Sequence, residues 1–292
     1  MTSRVHALVV LYDPDPALLQ QQWKVLSQQV DRVVYVDNGG GRAALGYLVT
    51  LPQVTVLGDG SNVGLAQALN DGLMEISATG ATHAVMFDQD TLPDPMLVAT
   101  LGRGFDVAPR VAAVGPSILD ELRGRPEYFT RLRLPLNHRI TQSNAPAEFF
   151  DVDFLITSGT LVSLDALNSI GSMDSTLFID CIDFEWSFRT RSRGWRILAT
   201  YSAMIRHRRG DTMRTLPGGF GLRLHSPTRL FYMHRNRVDL YRRAYVPMAW
   251  KVHDVGRLVV KLALIAAFGA KRRESVAAAV RGMLAGVRRS RA

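Results

Sequence analysis

Apolar segments that predict strands alternate with amphipathic segments that predict helices along the first third of the chain. The apolar segments are residues 4–11, 32–37, 53–57 and 83–88. The amphipathic segments are residues 16–29 and 64–78. Alternation of this kind is typical of parallel βαβ units. It therefore predicts an α/β fold with a Rossmann-like, mostly parallel central sheet flanked by helices.

The pattern is less regular after residue 105. It predicts strands near 111–119 and 152–156, a helix over 182–193 and a strand over 195–201. Residues 252–268 predict an amphipathic helix with Val255, Leu258, Val259, Leu262 and Ile265 on one face and Asp254, Arg257 and Lys261 on another. No repeat or low-complexity linker divides the chain. We therefore expect one main domain, residues 1–245, and a basic helical extension, residues 246–292.

The net charge of +9 is unevenly distributed. Residues 1–202 hold 15 Lys and Arg against 22 Asp and Glu, whereas residues 203–292 hold 20 against 4. A basic C-terminal part indicates an anionic partner, and nucleic acid, anionic lipid and a phosphorylated substrate are all candidates. The single cysteine excludes an internal disulfide, and neither a signal peptide nor a membrane-spanning run is evident. A cytoplasmic location is therefore expected.

Acidic residues follow the predicted strands at Asp13, Asp37 and Asp88. In open α/β sheets ligands bind at the carboxyl ends of the strands. Asp88 and Asp90 are separated by one residue, a spacing that lets two carboxylates share a divalent cation with a diphosphate. The alternative is an Asx turn followed by a helix cap, without any ligand.

Two further loops fit a nucleotide. Asp37 precedes three glycines, so it could bind a base or a ribose, or it could stabilise a turn that needs glycine. Asn62 and Gly64 precede a predicted helix, where backbone N–H groups could bind a pyrophosphate or Asn62 could simply cap the helix. Neither a G-x-G-x-x-G fingerprint nor a Walker A motif is present.

Three acids, Asp180, Asp183 and Glu185, lie among large apolar residues at the start of a predicted helix. A carboxylate in a partly apolar cleft has a raised pKa and suits a general base. Acids also stabilise helix N-termini through the helix dipole, which accounts for one of the three more easily than for all. His207 follows a strand within a basic run and could ligate a metal or contact phosphate, although a lone histidine is more often structural.

The order of these motifs is more specific than any one of them. LVVLYDPDP, VDNGG, SNVGLAQALNDG, FDQDT, FIDCIDFEW and HRRGD follow one another along the chain. This succession resembles the family-2 inverting glycosyltransferases of the GT-A fold over residues 4–245, and within them the bacterial rhamnosyltransferases that use TDP-rhamnose. The FIDCIDFEW segment is its most specific part.

The resemblance assigns roles by position. The donor-nucleotide positions are Tyr12, Asp37, Asn62, Gly64, Asn70 and Asp88. Asp90, with Asp88 and His207, would bind Mg²⁺ or Mn²⁺ at the diphosphate. Asp183 matches the general base, and Asp180 is a possible second acid because the family commonly has Glu-Asp where this chain has Ile182-Asp183. The segment Ser158-Gly159-Thr160 would help to shape the sugar pocket.

The implied reaction is a single displacement with inversion, which moves L-rhamnose from TDP-rhamnose to a hydroxyl of a growing, lipid-linked surface glycan. The basic extension would then rest on the inner leaflet of the membrane, and no nucleic acid would be involved. Packing on the main domain or an oligomer contact is the alternative role for that extension. The alternative functions are the same reaction with a UDP- or GDP-sugar and, in another class, a basic nucleic-acid-binding protein.

Overall fold

The computed structural model describes residues 4–120, 124–207, 213–215, 221–223, 225–269 and 271–289. The strands are β1 (Val5–Leu11), β2 (Arg32–Asp37), β3 (Val54–Leu57), β4 (His83–Asp88), β5 (Thr91–Pro93), β6 (Val111–Asp120), β7 (Arg125–Pro126), β8 (Phe129–Arg131), β9 (His138–Ile140), β10 (Phe149–Asp151), β11 (Leu161–Ser163), β12 (Arg196–His207), β13 (Met213–Thr215) and β14 (Gly221–Arg223). The helices are α1 (Pro16–Leu26), α2 (Arg42–Leu45), α3 (Leu65–Ala78), α4 (Leu97–Arg103), α5 (Leu164–Ile170), α6 (Ile182–Ser192), α7 (Pro227–Tyr241), α8 (Met248–Phe268) and α9 (Arg272–Arg288).

The central sheet has the strand order β10-β12-β6-β11-β4-β1-β2-β3, with β5 paired to β12 and β7 paired to β6. Strands β4, β1, β2 and β3 are parallel, so their carboxyl ends meet at one edge. At that edge Asp88 is in register with Val10, and Asp37 with Leu11. The second half of the sheet is mixed, because β11 runs antiparallel to both of its neighbours.

Alternate residues of β1 enter two cores on opposite faces of the sheet. Leu8 and Val10 pack in the core that contains α3, whereas Ala7, Val9 and Leu11 pack in the core that contains α1 and α4. A strand buried on both faces reads as a continuous apolar run, as this segment does. Because apolar cores cover both faces of this part of the sheet, the acids Asp37 and Asp88 lie at its carboxyl edge.

The predicted strands and helices of the first 90 residues are confirmed, as is the helix at 182–193. Local signals set their ends: α1 begins at Asp15-Pro16, where the Asp15 carboxylate accepts the Ala17 N–H at 2.9 Å. The strand predicted near 152–156 is wrong, because pairing stops at Asp151. Asp153 instead accepts the Leu132 N–H at 2.6 Å, which turns the chain away from the sheet.

The predicted single apolar face of the C-terminal helix is also wrong. Leu258 and Ile265 are buried, whereas Val255 and Val259 are exposed. Asp254, placed by the pattern on the polar face, is buried because it pairs with Arg237 at 2.9 Å. Helix α8 therefore has a core face and a separate exposed apolar stripe.

Helix α9 packs closely on α7. A Cβ on Gly282 would lie 2.2 Å from the carbonyl oxygen of Phe231, and one on Gly286 would lie 2.5 Å from that of Arg235. Only glycine permits this approach, so the small residues of α9 form its inner face. Within the described residues, no helix combines the length and apolar composition that a membrane crossing requires. The boundary between residues 245 and 246 stays a prediction.

Candidate active site

The carboxylate of Asp37 holds the glycine loop after β2. Its two oxygens accept the N–H groups of Gly39, Gly41 and Arg42 at 3.1, 2.6 and 2.9 Å. Burial alone would raise the pKa of Asp37, but these backbone hydrogen bonds outweigh it and lower the pKa. The turn role expected for Asp37 is thus present, and its contact with a nucleotide base stays a prediction.

Glycines keep the floor of this region open. The ring of Tyr12 covers Gly39, where a Cβ would lie 2.3 Å from Tyr12 Cδ2. Gly58, in the loop after β3, has a φ of +82°, and a Cβ there would lie 2.4 Å from the carbonyl oxygen of Asp37. The loops after β1, β2 and β3 therefore meet closely without side chains between them. The tyrosine is 58% exposed, so a ligand can reach its ring.

Asn38 and Asn62 join the loops after β2 and β3. Asn38 Oδ1 accepts the Val63 N–H at 2.9 Å, and its Nδ2 donates to Asn62 Oδ1 at 3.3 Å. Asn62 also accepts the Gly64 N–H at 3.0 Å, just before α3 begins. This chain of amides fixes the N-terminus of α3 beside the glycine loop, where an anion is favoured by the helix dipole.

Asn70 lies one turn further along α3 and faces a different partner. Its Nδ2 donates to the carbonyl of Met173, and its Oδ1 accepts the Met173 N–H, both at 2.9 Å. The side-chain amide thus holds the segment that leads into the FIDCIDFEW motif. Its role in nucleotide binding stays a prediction.

Buried polar side chains fix the acidic turn after β4. Ser158 Oγ accepts the Asp88 N–H at 3.1 Å and lies 2.7 Å from Thr91 Oγ1. Gln22, from α1, donates its Nε2 to the carbonyls of Asp88 and Thr91 at 2.9 and 2.7 Å. Ser158, Gln22 and Thr91 are all buried. Asp88 and Asp90 are therefore set on a rigid support and remain half-buried at the sheet edge.

Gln89, between the two acids, binds the end of β1. The Tyr12 N–H donates to Gln89 Oε1 at 2.6 Å, and Gln89 Nε2 donates to the Tyr12 carbonyl at 2.8 Å. These hydrogen bonds join the acidic turn to the loop that carries the Tyr12 ring. The sequence gives no sign of this role, because Gln89 reads as a neutral spacer.

The donor set at the acidic turn fits a hard divalent cation. Asp88 and Asp90 offer carboxylate oxygens one residue apart, and Mg²⁺ and Mn²⁺ bind one or two such groups together with substrate phosphates. No group of three or more metal-binding side chains occurs in the part of the chain that the structure describes. The backbone of His207 pairs with Thr91, but its side chain lies outside the described residues, so its role stays a prediction.

The segment before α6 is strained. Phe178, Asp180 and Cys181 have φ values of 66°, 65° and 66°, which side chains other than glycine rarely adopt. Each such residue costs about 1 to 3 kcal/mol and tends to occur at functional sites. The Phe178 ring covers Gly64, where a Cβ would lie 2.5 Å from the ring. The strained segment therefore lies against the N-terminus of α3.

Asp183 is the partly buried acid at the first turn of α6. Burial, together with repulsion from the carboxylates of Asp180 and Asp88, raises its pKa to about 6, although a hydrogen bond of 2.9 Å from the Phe184 N–H acts in the opposite direction. The repulsion from Asp88 brings the acidic turn and α6 into one electrostatic site. A carboxyl group with this pKa is ionised at neutral pH yet basic enough to accept a proton.

The other two acids of the motif are paired. The Arg229 guanidinium donates two hydrogen bonds of 3.1 Å to the Asp180 carboxylate. Glu185 is buried and accepts hydrogen bonds from Arg189 at 2.8 and 2.9 Å and from the Tyr245 hydroxyl at 2.5 Å. Asp183 has no such arginine among the described ion pairs, so it is the acid best placed to act as a base.

Comparisons with known proteins identify the family of this chain. A family model described as glycosyltransferase like family 2 matches residues 42–218, more than half of the chain. The chain belongs to this glycosyltransferase family. It is also 28% identical to the dTDP-rhamnosyl transferase RfbF of Shigella flexneri, over 99% of this chain and 97% of that protein.

Three solved structures share the fold of this chain. GalNAc-T7 with UDP, GalNAc and Mn²⁺ superposes with a TM-score of 0.62 at 15% identity over 86% of this chain, which spans 50% of that chain. The mannosyltransferase PcManGT from Pyrobaculum calidifontis, with GDP-Man and Mn²⁺, superposes with a TM-score of 0.57 at 16% identity. The match covers 100% of this chain and 77% of that chain. S. aureus TarS 1–349 superposes with a TM-score of 0.54 at 13% identity, and the match covers 98% of this chain and 81% of that chain. The glycosyltransferase thus has the predicted GT-A fold.

Helix α7, which follows the family match, supports the strained segment of this glycosyltransferase. Asn236 is fully buried, and its Nδ2 lies within hydrogen-bonding distance of the carbonyls of Leu177, Ile179 and Asp180, at 2.9, 2.8 and 2.9 Å. Motif reading missed this residue. The one signal for it is an asparagine in a helix interior, where asparagine is disfavoured unless its side chain has a partner.

Proposed function

We propose that this glycosyltransferase transfers L-rhamnose from TDP-rhamnose to a hydroxyl group of a surface glycan, with inversion at the anomeric carbon. The observation that carries the chemistry is Asp183, whose pKa is raised to about 6 beside the acidic turn. The similarity to dTDP-rhamnosyl transferase RfbF over nearly the whole of both chains supports the donor. The UDP- and GDP-sugar donors remain alternatives, since the structural neighbours include proteins solved with UDP and with GDP-Man.

In the proposed reaction Asp183 accepts the proton of the acceptor hydroxyl as that oxygen attacks the anomeric carbon. The bond between that carbon and the diphosphate oxygen breaks, and TDP leaves. The loops after β1, β2 and β3 would hold the nucleotide, with the positive end of the α3 dipole beside them. The ion pair between Arg229 and Asp180 favours Asp183 over Asp180 in this role.

Asp88 and Asp90, with His207 as a further predicted ligand, would hold a divalent cation, Mg²⁺ or Mn²⁺. When bound, such a cation offsets the charge of the leaving diphosphate. The rigid support of the turn by Ser158 and Gln22 would keep both carboxylates in place. That rigidity matters because catalytic groups lose much of their effect when they are misplaced by about 1 Å.

We also propose that the acceptor is lipid-linked and that α8 and α9 contact the cytoplasmic face of the inner membrane. The exposed stripe of α8 consists of Met248, Val252, Val255 and Val259. Helix α9 exposes Val280, Leu284 and Val287 beside Arg281 and Arg288. Apolar side chains next to cations are typical of helices that lie at an anionic membrane surface.

Calorimetric titration with TDP, UDP and GDP, each with and without Mn²⁺ or Mg²⁺, tests the donor assignment. We expect metal-dependent binding that favours TDP and is lost in Asp90→Ala. Asp94→Ala, an exchange of a nearby acid outside the turn, is the matched control and should bind as the wild type does. Tighter binding of UDP or GDP than of TDP would contradict TDP-rhamnose as the donor and favour a UDP- or GDP-sugar. Absence of binding to all three nucleotides would contradict the proposed donor site.

A further inference from the structure

A cavity of about 210 Å³ lies beside the acid that we assign as the base. Its walls come from the β8–β9 region, the start of α6, and helices α7 and α8. Phe184, the residue after Asp183, forms part of the wall, and its ring packs against Phe154 and Trp250 at centroid distances of 4.7 and 5.6 Å. The cavity thus adjoins the base but lies away from the loops after β1, β2 and β3.

The charge of this cavity is positive. Among the residues that the structure describes, Arg237, Arg257 and Lys261 line it, and Asp254 is the one acid in the lining. Asp254 is already neutralised, because it accepts hydrogen bonds from Arg237 Nε at 2.9 Å and from the Tyr241 hydroxyl at 2.7 Å. Cations therefore outnumber acids among the described lining residues.

Arg237 has unused capacity at this place. Its Nη1 is buried and has no hydrogen-bond partner among the residues that the structure describes. A buried polar group without a partner costs about 1 to 3 kcal/mol, and more when it is charged. The Arg237 side chain lines the cavity, and guanidinium groups bind phosphate particularly well.

Two of the cations of α8 line the cavity and lie outside the exposed stripe. Arg257 and Lys261 are one helical turn apart and share a face with Trp250. Val255 and Val259 lie on the other side of the helix, about half a turn away. The two surfaces of α8 can thus bind different partners.

We infer that this cavity binds a phosphoryl group, a phosphate or diphosphate ester, that the acceptor carries. The inference rests on the proposed function, because it places the acceptor hydroxyl at Asp183 and the phosphoryl group behind Phe184. The aromatic rings of Phe154, Phe184 and Trp250 would contact the sugar or lipid beside that group. The cations would then select acceptors that have a phosphoryl group over neutral glycans.

Titration of the full chain with inorganic pyrophosphate in EDTA at low ionic strength tests the cavity. EDTA removes divalent cations, so the donor site contributes little. We expect binding of one pyrophosphate per chain, weakened at least tenfold in the double variant R257Q/K261Q. The matched control is R272Q/R273Q, which removes the same charge from exposed positions of α9 and should change the affinity less than twofold.

Two results would overturn the inference: no pyrophosphate binding by the wild type, or an equal loss in both double variants, which would indicate diffuse charge alone. Unchanged thermal unfolding and unchanged nucleotide binding with Mn²⁺ show that R257Q/K261Q is folded. The nucleotide titration also separates the two proposals. If the wild type binds pyrophosphate but none of the nucleotides, the proposed donor site is wrong and the cavity is still an anion site.

Competition distinguishes the source of the phosphoryl group. Glucose 1-phosphate, a soluble glycosyl phosphate, should displace pyrophosphate from the wild-type chain. Phosphatidylglycerol vesicles should bind the chain without displacing it, because their contact is the exposed stripe on the other side of α8. Displacement by the vesicles and not by glucose 1-phosphate would assign the cavity to a phospholipid and overturn the acceptor role.

Discussion

Gln89 and Tyr12 are joined by a pair of hydrogen bonds, from the Tyr12 N–H to Gln89 Oε1 at 2.6 Å and from Gln89 Nε2 to the Tyr12 carbonyl at 2.8 Å. The pair joins the acidic turn to the end of β1 across the sheet edge. Because the side chain lies between two acids, its amide positions both of the loops that flank the proposed diphosphate site.

We expect Gln89→Ala to weaken metal-dependent nucleotide binding by up to about thirtyfold. Two neutral hydrogen bonds contribute about 1 kcal/mol each, and about 1.4 kcal/mol corresponds to tenfold in affinity. Calorimetry with the preferred nucleotide measures the change. Gln21→Ala, at an exposed position of α1, is the control and should bind normally. Wild-type affinity in Gln89→Ala would show that the two loops are positioned independently.

Asp183→Asn should stabilise the ligand-free protein at high pH. The folded-state pKa of Asp183 is raised to about 6 from an ordinary value of 3.8, so keeping the carboxyl ionised opposes folding above pH 6. Removing that charge should add about 1 to 3 kcal/mol to the free energy of unfolding at pH 8. The gain should fade as the pH falls towards 4, where the carboxyl is protonated in the folded state and only partly ionised in the unfolded chain.

Urea unfolding of both proteins in EDTA at pH 8 and pH 4 measures this difference. Asp106→Asn, an exposed acid, is the matched control and should change stability by less than about 0.5 kcal/mol at either pH. Equal stability of Asp183→Asn and the wild type at pH 8 would mean that Asp183 has an ordinary pKa.

The rate of transfer should fall on the acid side. Since Asp183 must be ionised to accept a proton, kcat/KM is expected to decrease about tenfold per pH unit below about pH 6. Donor affinity, measured by calorimetry over the same range, separates loss of chemistry from loss of binding. A flat profile of kcat/KM down to pH 4.5 would argue against Asp183 as the base.

Asn236→Ala should reduce transfer through the strained segment it supports. The Asn236 side chain is the donor to the carbonyls of Leu177, Ile179 and Asp180, and its loss should cost about 1 to 3 kcal/mol of stability. We expect kcat to fall about tenfold or more while nucleotide affinity stays within twofold. The control is Asn168→Ala on the exposed side of α5, and an unchanged kcat in Asn236→Ala would limit its role to stability.

Vesicle binding tests the exposed stripe of α8. The double variant V255N/V259N should bind phosphatidylglycerol vesicles several-fold more weakly than the wild type, with nucleotide binding unchanged. V49N/V107N replaces valines of similar exposure elsewhere and should not change vesicle binding. Point changes suit this test better than removal of α9, whose glycines pack on the backbone of α7. Equal co-sedimentation of both variants would contradict the membrane contact.

The parallel half of the sheet could be predicted from the sequence because strands buried on both faces appear as continuous apolar runs. The acids that end these strands could be predicted to meet for the same reason. The strand predicted near 152–156 was wrong because the apolar residues of this segment do not show that the Asp153 carboxylate accepts a hydrogen bond from the Leu132 N–H. The polar face predicted for α8 was wrong at Asp254, because its partner Arg237 lies on another helix and the pattern of α8 alone does not show the pair.

The supports of the candidate site depend on distant contacts. Asn236 reaches Asp180 across 56 residues, and Gln89 reaches Tyr12 across 77, so neither pairing leaves a local pattern. The roles of Asp180 and Glu185 also could not be separated from that of Asp183, because the three acids differ only in which arginines the fold places beside them. Motif order identified the family, and tertiary structure distinguished the acids.

The most direct test of the account is the transfer reaction itself, with TDP-rhamnose, UDP-glucose or GDP-mannose as donor, Mn²⁺ present and a bacterial membrane extract as the source of acceptors. Wild type is compared with Asp183→Asn after nucleotide binding by the variant has been verified. The account predicts incorporation of rhamnose from TDP-rhamnose by the wild type, and a loss of at least a thousandfold in Asp183→Asn. Incorporation from only UDP-glucose or GDP-mannose, or comparable transfer by Asp183→Asn, would contradict it.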